Sequence, residues 1–82
     1  MTGNETGLAV MERQIDRLKK LERAYEEQIA ELSESIKTTR GSDKAAMMFD
    51  VRAEIRLALK ELKAAIADLE ARYYAALRRA RG

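Results

Sequence analysis

Apolar residues return every three or four positions along the first half of the chain. Leu8, Met11, Ile15, Leu18, Tyr25, Ile29, Leu32 and Ile36 form one such run, interrupted only at Glu22. The spacing is that of heptad positions a and d, and it predicts an amphipathic helix over residues 8–39. A second run, Met48, Ile55, Leu59, Leu62, Ile66, Leu69, Tyr73 and Ala76, repeats the pattern with Arg52 as its exception. It predicts a second helix over residues 44–79. Between the runs the sequence Thr38-Thr39-Arg40-Gly41-Ser42-Asp43 has no apolar period, and a turn is predicted at 40–43. Gly41 suits the left-handed position that ends a helix, while Ser42 or Asp43 can cap the next one. Residues 1–7 contain two glycines and no pattern. They are expected to form a flexible lead-in, with Asn4 and Thr6 as candidate N-caps.

A short connection between two long helices folds them back antiparallel. The expected architecture is therefore all-α, an antiparallel two-helix hairpin of coiled-coil type. With Ser42 at the apex, Ile36 faces Met48, Ile29 faces Ile55 and Tyr25 faces Leu59. Further from the turn, Leu18 faces Ile66, Ile15 faces Leu69, Met11 faces Tyr73 and Leu8 faces Ala76. Only the layers Leu32/Arg52 and Glu22/Leu62 set an apolar residue against a charged one. A turn chosen on its capping residues thus gives the register that the apolar residues need, which is agreement between independent levels.

The two flanks of this seam differ. Heptad position e carries Glu12, Lys19 and Glu26 on the first helix and Arg56, Lys63 and Glu70 on the second. Ion pairs of Lys19 with Glu70, and of Glu26 with Arg56 or Lys63, are expected there. Position g carries Leu21, Val51, Ala58 and Ala65. A further stripe, Leu57, Ala64, Ala67, Ala71 and Tyr74, runs along the back of the second helix. At its start, Met47-Met48-Phe49 is expected to form an apolar cluster, with Met48 in the seam and Met47 and Phe49 outside or on its edge. The cluster either folds over the turn to cap the core, the favoured reading, or serves as an adaptable contact, which flexible Met beside an aromatic suits. Leu21, Val51, Leu57, Ala58, Ala65, Met47 and Phe49 are therefore the candidate protein-interface residues. Two hairpins side by side would bury them in a four-helix bundle, or a partner protein would cover them.

Composition narrows the chemistry. The 82 residues include no Cys, His, Pro or Trp, which removes thiol and imidazole catalysis and thiolate metal sites. Carboxylates remain, but Glu26, Glu27, Glu31 and Glu34 are expected on a solvated face, and a two-helix hairpin offers no cleft to separate their proton affinities. No catalytic residue, no metal, no cofactor and no small-molecule substrate are expected. Glu22 at an a position is expected to lean out toward Lys19 or Arg23. Arg52 is expected to pack its stem on Leu32 with the guanidinium in water.

Sixteen basic and fourteen acidic residues leave a net charge of +2. No acid follows Glu70, whereas Arg72, Arg78, Arg79 and Arg81 do. These arginines, with Tyr73 and Tyr74 beside them, are the candidate nucleic-acid contact. The competing account is that cations at a helix C-terminus oppose its dipole and stabilise it. No signal-peptide pattern or membrane span is expected, which points to the cytoplasm. The function expected from these features is that of a non-enzymatic protein-interaction module, an assembly component or small inhibitor that forms a homodimer or docks another protein. Short hairpins of this kind are common among phage and mobile-element proteins. Nucleic-acid binding through the arginine-rich end is the alternative.

Overall fold

A computed structural model of the chain describes residues 3–81, with side chains for 7–81. Two helices, α1 (Gly3–Thr38) and α2 (Ser42–Arg81), account for all of these residues except 39–41. They run antiparallel as a hairpin. Its principal extents are 60 × 19 × 13 Å and its radius of gyration is 18.4 Å. A compact chain of this length would have a radius of about 12 Å.

Both helices are longer than the apolar period alone suggested. α1 begins at Gly3 rather than at 8, so most of the expected flexible lead-in is helical, and Asn4 and Thr6 lie inside the helix rather than capping it. Backbone bonding does not need an apolar partner, and nothing between Gly3 and Leu8 blocks it. Met1, Thr2 and Gly82 lie outside the described residues. α2 begins at Ser42 rather than 44 and continues to Arg81 rather than 79. Asp43 lies in its first turn, and Arg78, Arg79 and Arg81 in its last, so each end carries the charge its dipole favours.

The turn works differently from expectation. Gly41 does not adopt a left-handed conformation, and a Cβ added there would meet only the Lys44 side chain, at 3.8–3.9 Å. Its carbonyl instead accepts the Ala45 N–H at 2.9 Å and so opens α2. Ser42 and Asp43 therefore sit within the first turn of α2 and do not cap it. The end of α1 is closed by threonine hydroxyls. Thr39 donates from its amide to the Ser35 carbonyl at 2.9 Å, and its Oγ1 lies 2.6 Å from the same oxygen. Thr38 Oγ1 lies 3.2 Å from it. The Ser35 carbonyl thus takes two hydroxyls in addition to a backbone amide at the last turn of α1. Thr39 is also half-buried, 3.6 Å from the Met48 sulfur, which closes the seam beneath the turn.

The seam follows the predicted register. Every a and d residue from Leu8 to Ile36 and from Met48 to Ala76 is half-buried or buried. Among the described residues, full burial is reached only at Leu62 and Ile66, 9% and 5% exposed. Both lie near mid-rod, opposite Glu22 and Leu18. Cross-helix contacts fix the same alignment. Arg52 reaches Ser33 beside its predicted layer, and Tyr73 reaches Glu12 beside its own. Two facing helices of this width cannot enclose more than a single file of side chains, which is why most of the seam stays half-exposed.

Candidate interaction surface

The polar contacts between the helices gather on one side. Lys19 Nζ stands 2.9 Å from Glu70 Oε2, and Lys63 Nζ stands 3.8 Å from Glu26 Oε2. Both pairs join e positions, and both were expected. Tyr73, a seam residue, turns its hydroxyl into this flank and donates to Glu12 Oε1. Arg52 does the same. Its Nη1 donates to Ser33 Oγ at 2.9 Å, and its guanidinium carbon lies 4.9 Å from the centre of the Phe49 ring. The guanidinium is therefore held across the hairpin rather than left in water. A planar cation over an aromatic face is a favourable arrangement, and it claims one face of Phe49.

These contacts leave their mark on proton affinities. The Lys19 ammonium is raised above its ordinary value, chiefly by its hydrogen bond to Glu70 and by that residue's charge. The Tyr73 hydroxyl is raised as well, first by its bond to Glu12 and then by desolvation. Glu22 is half-buried at its a position. No hydrogen bond or ion pair to it occurs among the described residues, though its charge adds a small part to the rise at Lys19.

The opposite flank is bare. Gln14, Leu21, Gln28 and Ser35 on α1 and Val51, Ala58 and Ala65 on α2 occupy its g positions, without a charge among them. Charged residues stand only at its two ends, as Lys44 at the turn and Arg72 and Arg79 at the other. Leu21 and Val51 are 41% and 44% exposed. Ala65 is exposed and Ala58 half-exposed. Among the described residues no polar contact crosses between the helices here. Met47, 67% exposed, stands one turn from Val51 and continues the surface toward the hairpin turn.

The seven expected interface residues therefore do not form one surface. Leu21, Met47, Val51, Ala58 and Ala65 are contiguous. Phe49 stands two residues from Met47, which on a helix of about 100° per residue places it on the far side, under Arg52. The expected Met47-Met48-Phe49 cluster is thus divided by the seam itself. Leu57 lies on the back of α2 with Ala64, Ala67, Ala71 and Tyr74, all exposed.

The arginine-rich end is less uniform than its sequence. Arg72 pairs with Asp68 at 3.1 Å, whereas Arg78, Arg79 and Arg81 are exposed in the last turn of α2. The tyrosines play different parts. Tyr73 is half-buried and bound to Glu12, so it is not free to stack on a base. Tyr74 is exposed and meets Tyr73 edge to face, with ring centres 5.5 Å apart. Glu26, Glu27, Glu31 and Glu34 are spread along an exposed face of α1. Among the described residues no helix is long and apolar enough to cross a membrane. The chain matches no protein-family model, no curated protein and no solved structure.

Proposed function

We propose that this chain is a non-enzymatic protein-interaction module that self-associates or docks a partner protein through its uncharged flank. The observation that carries the reading is the combination of that flank with the thinness of the core. Two buried residues among those described are very few for an independently stable domain, and a core of this size rarely supplies more than about 3–5 kcal/mol. Depletion of charge with retained apolar exposure is also the compositional signature of an interface centre. The test is sedimentation or light scattering of the purified chain, read beside its helicity. Helicity and melting that depend on concentration or on an added partner support the reading. A 9.3 kDa species that is fully helical and cooperatively folded alone at micromolar concentration would sink it.

A second reading, nucleic-acid binding, draws on Arg78, Arg79 and Arg81, which are exposed at one end of the rod with no acid after Glu70. Phosphate contacts make affinity fall steeply with salt. A salt titration of binding to random-sequence DNA separates the two readings, because apolar docking lacks that slope.

A further inference from the structure

We infer that the partner is a second copy of this chain, seated flank to flank with both turns at the same end of a four-helix bundle. This inference rests on the reading of the chain as an interaction module and makes it specific.

Surface area is the first argument. The hairpin exposes 6474 Å², whereas a compact monomer of its mass exposes about 5,000 Å². The excess is on the order of 1,500 Å² per chain. A standard interface takes roughly 800 Å² from each partner, and obligate homodimers bury roughly 2,000–5,000 Å² in total. Two such excesses are therefore enough for an obligate dimer.

The shape of the flank argues for self-recognition in one orientation. A two-fold axis along the rod sets α1 of one copy against α2 of the other, antiparallel and level. Leu21 then meets Ala65 of the second copy, Gln28 meets Ala58, and Ser35 meets Val51. Each layer pairs a larger side chain with a smaller one, as interdigitating helices require. The neutral stretch of one copy covers that of the other from Leu21 to Ser35, and Gln14 falls opposite Arg72.

Charge weighs against the alternative. A two-fold axis across the rod would put the turns at opposite ends and set α2 against itself. The row of α2 just outside the flank consists of Glu54, Glu61 and Asp68 in its middle. It would then face its own copy, acid against acid at three levels, while Arg17 opposite Glu31 across the paired α1 helices offsets two of them. In the same-end arrangement this row meets Val10, Arg17, Ala24, Glu31 and Thr38 of α1. Asp68 gains Arg17, and one like-charge contact, Glu54 with Glu31, remains. Opposite charges at such rims set orientation more than they set affinity.

The chain contains no cysteine, so single spin labels can be placed without background. Labels at Ser42→Cys, on the turn, and at Arg78→Cys, near the open end, would be read by dipolar spectroscopy of the full chain. The same-end bundle gives inter-copy distances below about 40 Å at both positions. Opposite turns would give more than about 50 Å at both, from the axial rise of the helices, and would overturn this inference while leaving self-association standing. A short distance at Ser42 with a long one at Arg78 would mean that two opened chains have exchanged helices, which also overturns it. Absence of dipolar modulation from a helical chain would overturn both this inference and self-association. Ala58→Glu with Ala65→Glu should abolish the modulation. Ala53→Glu with Ala67→Glu, on the back of α2, should leave it intact. If both double variants, each verified as helical, behave alike, the flank is not the contact.

Discussion

The two flanks of this hairpin are built from the same two helices and differ in almost everything else. One carries Lys19–Glu70, Lys63–Glu26, Tyr73–Glu12 and Arg52–Ser33, all bridging α1 to α2. The other carries Leu21, Val51, Ala58 and Ala65 with glutamines between them and no bridge among the described residues. Had the rod evolved to meet water on all sides, charge would be expected on both. Exposed ion pairs contribute little to stability, so the segregation is not explained by what the bridges add to the hairpin. It is explained if one flank faces solvent and the other faces protein.

The contrast between the flanks presupposes that the seam, rather than either flank, holds the helices together. Ile66→Ala tests this most severely. The side chain is 5% exposed, and truncation of a buried Ile costs about 2–5 kcal/mol. That is comparable with everything a core of this size supplies. Cooperative thermal unfolding should be lost or displaced by tens of degrees. A modest shift would mean that the flanks carry the fold.

Glu22→Leu comes next and acts in the opposite direction. It replaces a half-buried carboxylate facing Leu62 by an apolar side chain and should stabilise the protein by about 1–2 kcal/mol. A single polar core residue can also fix alignment and copy number. The variant is therefore expected to sediment as a broader mixture of species. Chemical denaturation and sedimentation together read both effects.

On the charged flank the expected effects are small. Lys63→Gln removes one exposed pair and should lower stability by a few tenths of a kcal/mol, a difference that vanishes in high salt. A loss that persists in high salt would mean the flank contributes packing as well as charge.

Alkaline pH acts on the two flanks unequally. Lys19 and Tyr73 both have proton affinities raised in the folded state. A raised value means that the contribution is fully present below the ordinary values, 10.5 for lysine and 10.0 for tyrosine. It is lost as pH rises through the folded-state values. Melting temperature should therefore be flat around neutrality and fall above about pH 10, where charge on the e flank fails first. Tyr73→Phe should flatten part of that decline. A decline identical in the variant would assign the effect to general charge repulsion.

Most of the architecture is legible in the sequence because burial along a seam is collective. Some sixteen a and d residues vote on one register, and Glu22 and Arg52 cannot outvote them. The pairs Lys19–Glu70 and Glu26–Lys63 follow from that register, since e positions of antiparallel helices face each other. Individual side-chain destinations are another matter. Arg52 can reach water, Ser33 or the Phe49 ring at little difference in energy, and the sequence holds no signal that chooses. Gly41 looked like a left-handed helix terminator by residue type, yet its carbonyl opens α2 instead. The separation of Met47 from Phe49 was legible from helical geometry alone. Adjacency in sequence concealed it. The start of α1 was hidden because a helix end without apolar contacts leaves no period to read.

The three-residue turn has a consequence for how the chain finds its shape. Each layer of the seam encloses the one before it, so the contacts nest like the teeth of a zip. Closing Ile36 onto Met48 brings together residues only twelve apart, a small loss of loop entropy. Every later layer then lengthens an already closed loop by a few residues at almost no further loss. Contacts that accumulate locally in this way favour rapid folding. The early layers gain little, however, because Arg52 faces Leu32 close to the turn and dense burial arrives only at Leu62 and Ile66. The slow step therefore lies part-way along the rod, once the closing front reaches those two residues. Opening follows the reverse order, and amide exchange should quicken steadily from the middle of α2 toward the two chain ends.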